Sequence, residues 1–222
     1  MSSLPPAAPA WRNFSFFDAA PVKDAHDLNA SPEVFKNTPE ISSVISSSTS
    51  VLVADIYGTV HILSREFETQ RAWIAYDGGR VTHMAERNGV LVTVGEDGSS
   101  RAPMLKIWDL EKKTVAPPLI RSTKIQLNKP HPVCTIALST TLSHLAIGFA
   151  DGTVYLYRHL DQSVSNNTAI PKPRTVHESP GEPITGLGSR AQRHWNGKAT
   201  VVDDVGCGLG CAAMDWRGHE WL

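Results

Sequence analysis

The sequence predicts an all-β fold, and three observations carry that prediction. Short β-branched runs alternate with turns of Gly, Asp and Asn from Ile41 onward. Three stretches repeat one grammar of apolar strand, Asp- and Gly-bearing turn, and alternating strand: SVLVADIYGTVHIL at 50–63, GVLVTVGEDGSSRAPMLKIWDL at 89–110 and HLAIGFADGTVYLYRHL at 144–160. Further short strands, ISSVIS, VTHMAE, VCTIAL and ITGLG, begin at Ile41, Val81, Val133 and Ile184, with spacings of 40, 52 and 51 residues. That period is the length of a four-stranded propeller blade, so the expected architecture is an incomplete β-propeller of about three full blades plus remnants.

The elements follow in chain order. Residues 1–10 are Pro, Ala and Ser without periodicity and read as a disordered lead. Within 11–40, FSFFD at 14–18 is a candidate closing strand, and the Pro-rich stretch around 18–40 reads as a loop. Residues 41–188 hold three blades and the start of a fourth. ISSVISSSTS at 41–50 reads as a strand, a turn and the start of the next strand. Residues 189–222 form a divergent remnant: only 189–210 separate ITGLG from GCAAMDW, too few for four strands, and SRAQRHWNGK at 189–198 looks foreign to a blade. FSFFD and the edge near 199–216 are expected to stay unpaired and exposed. Apolar positions at helical spacing with proper caps are lacking, which argues against an alternating βα chain.

Composition narrows the function. Twenty-one Lys and Arg against 22 Asp and Glu leave a formal net charge of -1, with no global field for a polyanion, so nucleic acid is not an expected partner. The sequence contains no apolar run of transmembrane length, and its start lacks the basic and apolar regions of a signal peptide; the chain reads as intracellular. Three cysteines, Cys134, Cys207 and Cys211, do not make a disulfide framework.

At LKIWDL the pattern becomes specific, because Trp108-Asp109 after an Asp-Gly turn is the signature dipeptide of WD-repeat blades. The corresponding strands elsewhere carry His61-Ile62-Leu63 and Tyr155-Leu156-Tyr157, so the repeats are divergent. WRNFSFFD at 11–18, LVADIYGTVHIL at 52–63, LKIWDL at 105–110, DGTVYLYRHLD at 151–161, PITGLG at 183–188 and DDVGCGLGCAAMDW at 203–216 together resemble the amino-terminal propeller of the vacuolar protein sorting-associated protein 11 family. The resemblance implies a non-catalytic scaffold of the HOPS and CORVET tethering complexes. It implies partners among the class C, HOPS and CORVET sorting subunits and a cytoplasmic, peripheral location at late endosome or vacuole. The family's later blades, helical solenoid and RING lie outside this sequence, so zinc and RING-linked activity are not carried over.

Two other readings compete. One is a WD-repeat interaction module of a different complex. The other is a methyltransferase fragment binding S-adenosylmethionine through VVDDVGCGLG at 201–210, but only twelve residues follow Gly210 where a cofactor fold needs further βα units. Gly206, Gly208 and Gly210 read instead as a tight turn ahead of a buried strand.

No catalytic, cofactor or metal residues are assigned. Cys207 and Cys211 with His219 fall short of four ligands. The nine histidines form no ligand motif, and His83 and His131 read as residues flanking strands. A GxSxG elbow is lacking. Trp73, Trp108, Tyr155 and Tyr157 read as blade packing, and Lys112, Lys113, Arg121 and Lys124 as solvated charge.

Overall fold

Alternating side chains and short Asp-bearing turns fold the chain into successive antiparallel meanders. The computed structural model describes residues 20–37, 40–98, 102–127, 131–178 and 180–193, with 201–209, 212–214, 216–217 and 220–221. The candidate closing strand at 14–18 lies outside these residues.

The first sheet has the order β1 (Ile41–Ser46), β2 (Val51–Asp55), β3 (Thr59–Leu63), β4 (Thr69–Ile74). The second runs β5 (Arg80–Arg87), β6 (Val90–Glu96), β7 (Pro103–Asp109), β8 (Leu119–Lys124). The third runs β9 (Val133–Leu138), β10 (His144–Phe149), β11 (Thr153–Arg158), β12 (Arg174–Glu178). The fourth has three strands, β13 (Ile184–Arg193), β14 (Val201–Leu209) and β15 (Ala212–Met214), and β16 (Trp216–Arg217) pairs with β17 (Glu220–Trp221). Among the described residues two short helices accompany them, α1 (Glu33–Asn37) and α2 (Leu160–Ser165).

The first strand of each sheet lies beside the first strand of the next, β1 by β5, β5 by β9 and β9 by β13. This is the radial arrangement of blades about an axis. Among the described residues no strand pairs the fourth sheet with the first, so the arc is open.

Burial follows the alternation. Leu52, Ala54, Val60 and Ile62 of the first blade pack with Val81, Met84, Leu91 and Trp108 of the second. Leu105 and Ile107 pack with Leu145, Ile147 and Tyr157 of the third, and Ala146 and Val154 with Ile184 of the fourth. Each fully buried Leu or Ile contributes about 1.5–3 kcal/mol, so the blades are held mainly by their neighbours. On the other face of the first blade, Val34 and Phe35 of α1 cover Val53 and Leu63.

Several expectations change. The loop read around 18–40 contains α1, anchored by the buried Val34. The fourth strands β4, β8 and β12 complete blades whose fourth element the sequence left unread. Ser189–Arg193 continues β13 and pairs with β14 through Arg193↔Val201, so the stretch read as foreign begins as blade strand and the boundary at 188 falls inside β13. Gly206 and Gly208 lie within β14 opposite Gly188 and Gly186, not in a tight turn. β14 runs through both glycines to Leu209, which pairs with Ala212 of β15. β14 pairs with β13 and β15 on its two sides, so among the described residues of 199–216 it is not the open edge that was expected; β15 ends that sheet.

Candidate interaction surface

The meander topology sorts every connection to one of two ends. The turns β2–β3, β6–β7 and β10–β11 share one end with the links between blades, and the remaining hairpin turns lie at the other.

At the first end, the turn after β2 is set by one carboxylate. Asp55 is buried, and its Oδ1 accepts the backbone N–H of Tyr57 and of Thr59, both at 2.9 Å. Its Oδ2 lies 3.4 Å from His61 Nε2. The turn carries Gly58 at φ +81; Tyr57 is 67% exposed, and Ile74, at the end of β4, is 65% exposed. The two flank Gly58, whose carbonyl accepts the Ala75 N–H at 2.8 Å. Tyr57 lines a groove of about 400 Å³ together with Ile56, Arg80, Glu96 and Asp97. An exposed tyrosine side chain is of the kind enriched among interface anchors.

Behind this rim, the link between the first and second blades is closed by a polar network. Trp108 Nε1 donates to Thr93 Oγ1 at 3.0 Å. The Tyr76 hydroxyl lies 3.2 Å from the same Oγ1 and 3.0 Å from the carbonyls of Thr93 and Met104. Burial pushes the Tyr76 phenol far above its ordinary value, so it stays a neutral donor. Lys106 Nζ sits 4.2 Å from the Tyr76 ring centre, donates to Ala75 O at 2.8 Å and meets Asp97 Oδ1 at 3.3 Å. Its charge is thereby satisfied at a half-buried site. The arrangement fixes the geometry of the junction between the two blades.

The residues singled out in the sequence are placed as follows. Trp73 and Trp108 are buried edge to face with ring centres 5.8 Å apart. Tyr155 meets Phe149 at 5.1 Å, and Tyr157 is buried. Lys112 pairs with Asp109 at 3.7 Å, while Lys113 and Lys124 are exposed. Arg121 is not solvated charge: its Nε donates to Thr168 O at 2.7 Å in the third blade. His131 precedes β9 and lies 3.7 Å from Asp151 Oδ2. His83 stands inside β5 rather than beside it, half-buried, with Nε2 3.0 Å from the Cys134 carbonyl on β9. A carbonyl only accepts, so Nε2 carries the proton and joins the inner strands of two blades. Cys207 lies in β14 opposite Leu187 and Met214. Cys211, His219 and Gly210 lie outside the described residues. Among the described residues, no three His, Cys, Asp or Glu side chains are grouped as a metal site, and no helix is long and apolar enough to cross a membrane.

Sequence reasoning missed Tyr57, Ile74, Tyr76 and Thr93. Asp55 and Gly58 marked the turn, but which neighbours it exposes depends on packing between blades.

Burial holds His83 below its ordinary value, against the smaller opposing effect of the Cys134 carbonyl. A lowered folded-state value contributes stability that is present above the unfolded value of about 6.5 and lost as pH falls through the folded one. The acid limb of a melting-temperature profile is therefore expected to flatten in His83→Gln relative to the parent, measured by calorimetry between about pH 7 and 4. Parallel acid limbs in the two proteins would remove His83 from the explanation.

Four-stranded antiparallel blades in chain order, with Trp108 tied to Thr93 across strands, define a WD-type β-propeller. Solved structures agree on the fold. The Myceliophteria thermophila Cps50 (Swd1) β-propeller domain aligns with TM-score 0.56 at 12% identity, covering 86% of this chain and 56% of that one. The C-terminal WD40 domain of Sif2 aligns with TM-score 0.53 at 16% identity, covering 79% and 44%.

The family profile described as PEP5/VPS11 N-terminal matches residues 11–196, and the chain belongs to that family. The vacuolar protein sorting-associated protein 11 homolog of Caenorhabditis elegans is 31% identical over 153 residues, covering 67% of this chain and 15% of its own length. The Homo sapiens homolog is 28% identical over 244 residues, covering 92% and 25%. The chain thus spans a quarter or less of these two relatives.

Proposed function

We propose that this chain is a scaffold propeller of an endolysosomal membrane-tethering complex, of the HOPS and CORVET kind, acting in vesicle transport and fusion at endosome and vacuole. The observation that carries the reading is the family match across residues 11–196. It binds other vacuolar sorting subunits, meets the membrane through them as a peripheral cytoplasmic component, and uses no catalytic residue, metal or cofactor of its own. The exposed Tyr57 and Ile74 at one end, over a buried and satisfied polar network, support a role in presenting a surface rather than enclosing a substrate.

The test is affinity purification of the tagged native-length protein from its own cells under non-denaturing conditions. Recovery of tethering subunits in stoichiometric amounts is expected. Reproducible recovery of a different coherent complex without them would replace this reading with that of a WD-repeat module in another assembly.

A further inference from the structure

The groove beside Tyr57 has an acidic rim. Glu96 and Asp97 are part of its lining, and the exposed Asp77 directly precedes the lining Gly78 in the chain. Glu40, also exposed, is held at the same place by its carbonyl, which accepts the N–H of the lining Ile56 at 3.1 Å. Two cations answer these four carboxylates: Arg80 Nε lies 3.3 Å from Glu96 Oε2, and Lys106 Nζ lies 3.3 Å from Asp97 Oδ1. Asp55, buried in the turn, is already matched to His61. Among the described residues, the side chains of Glu40 and Asp77 make no hydrogen bond or ion pair. Two carboxylates are thus left in excess, one bonded through its main chain to the residue before Tyr57 and one in the link that follows β4.

The floor of the groove is main chain. Gly78, Gly79 and Gly98 belong to its lining. A Cβ on Gly98 would collide with the carbonyl of Gly78, and one on Gly79 with the carbonyl of Glu96, so these segments meet backbone to backbone and raise no side chains of their own. A flat group can lie close against such a surface. Tyr57, 67% exposed, adds an aromatic wall.

We infer that this groove binds a cationic segment of a partner protein, with an arginine lying on the glycine floor between the Tyr57 ring and the carboxylates of Glu40 and Asp77. A guanidinium is planar, stacks on aromatic faces and forks onto carboxylates, so it uses all three features at once. Nucleic acid and acidic lipid headgroups are excluded by the same unmatched carboxylates, which repel phosphate. At about 400 Å³ the groove is near the small end of ligand clefts, which suits a few side chains of an extended segment. The inference rests on the proposed role of the chain as a scaffold that presents a surface, and it does not depend on which complex that scaffold serves.

Site-specific photo-cross-linking tests it. The full chain carrying p-benzoylphenylalanine in place of Tyr57 is expressed in its own cells and irradiated, and the cross-linked peptides are sequenced by mass spectrometry. The same group in place of Thr69, exposed at the far end of β4, sets the background. The expected product joins position 57 to an arginine-bearing segment of another protein. Glu40→Lys with Asp77→Lys is expected to lower its yield about tenfold, and Glu40→Gln with Asp77→Asn about threefold, as loss of complementary charge at an exposed contact predicts. Both carboxylates are exposed and unpaired, so these variants keep the fold, and melting temperatures equal to the parent's verify it. Yield no greater than at position 69, cross-links to a second copy of this chain or to a segment lacking arginine, or indifference to the charge reversal would each overturn the inference. An arginine-bearing segment on a protein outside any tethering complex supports the groove assignment and overturns the proposed function instead.

Discussion

Trp108→Ala is expected to lower the unfolding free energy by about 3–5 kcal/mol, the usual cost of removing a large buried aromatic side chain. Three losses combine at this position. The indole is 6% exposed and packs among residues of the first two blades, so its removal leaves a cavity at their junction. The edge-to-face contact with Trp73 disappears. Thr93 Oγ1 loses the indole N–H and keeps the Tyr76 hydroxyl at 3.2 Å and its own donation to the Lys106 carbonyl at 3.4 Å. Trp108→Phe separates these effects in part: it keeps most of the ring and removes the donor, at about 1–3 kcal/mol for the lost hydrogen bond. Denaturant melts of both variants check the order. If alanine costs no more than phenylalanine, the packing share of the argument is wrong.

Gly58→Ala is expected to rank next, and its effect is a backbone one. Gly58 sits at φ +81, and a Cβ placed there would stand 2.0 Å from the carbonyl oxygen of Tyr76. The left-handed conformation alone costs an L-residue about 1–2 kcal/mol. The collision cannot be relieved by a rotamer change, because the clashing atom is main chain and Tyr76 is anchored through its hydroxyl. Gly181 gives the matching control: φ is +88, but a Cβ there meets nothing within 4 Å. Gly181→Ala therefore reports conformational strain by itself, and Gly58→Ala should cost at least about 1–2 kcal/mol more. Equal melting temperatures for the two variants would show that the first two blades are not locked where Gly58 and Tyr76 meet.

Much of the fold was legible because the second and third strands of each blade are local statements. In VLVADIYGTVHIL and HLAIGFADGTVYLY the alternation and the turn chemistry lie within about fifteen residues, and both act before any tertiary contact forms. The fourth strands were opaque for the opposite reason. TQRAWI, LIRSTK and RTVHE are outer strands with mostly exposed or half-buried side chains, so no apolar alternation marks them. The β14 glycines misled because glycine signals a turn when read locally, while here pairing with Gly186 and Gly188 decides. The roles of His83 and Arg121 were hidden by distance: their acceptors lie 51 and 47 residues downstream.

Those distances also order the events of synthesis. Each described sheet joins strands that are consecutive in the chain, so a blade can form as soon as its own residues have left the ribosome. The carbonyls of Leu110 and Lys112, to which Arg71 on β4 donates, emerge 39 and 41 residues after it, and the Thr168 carbonyl gripped by Arg121 47 residues after. An outer strand is therefore fastened only once the third strand of the following blade exists. Translation delivers the second and the third blade each with the fastener for its predecessor, and a pause within either leaves the previous blade's rim loose until elongation resumes.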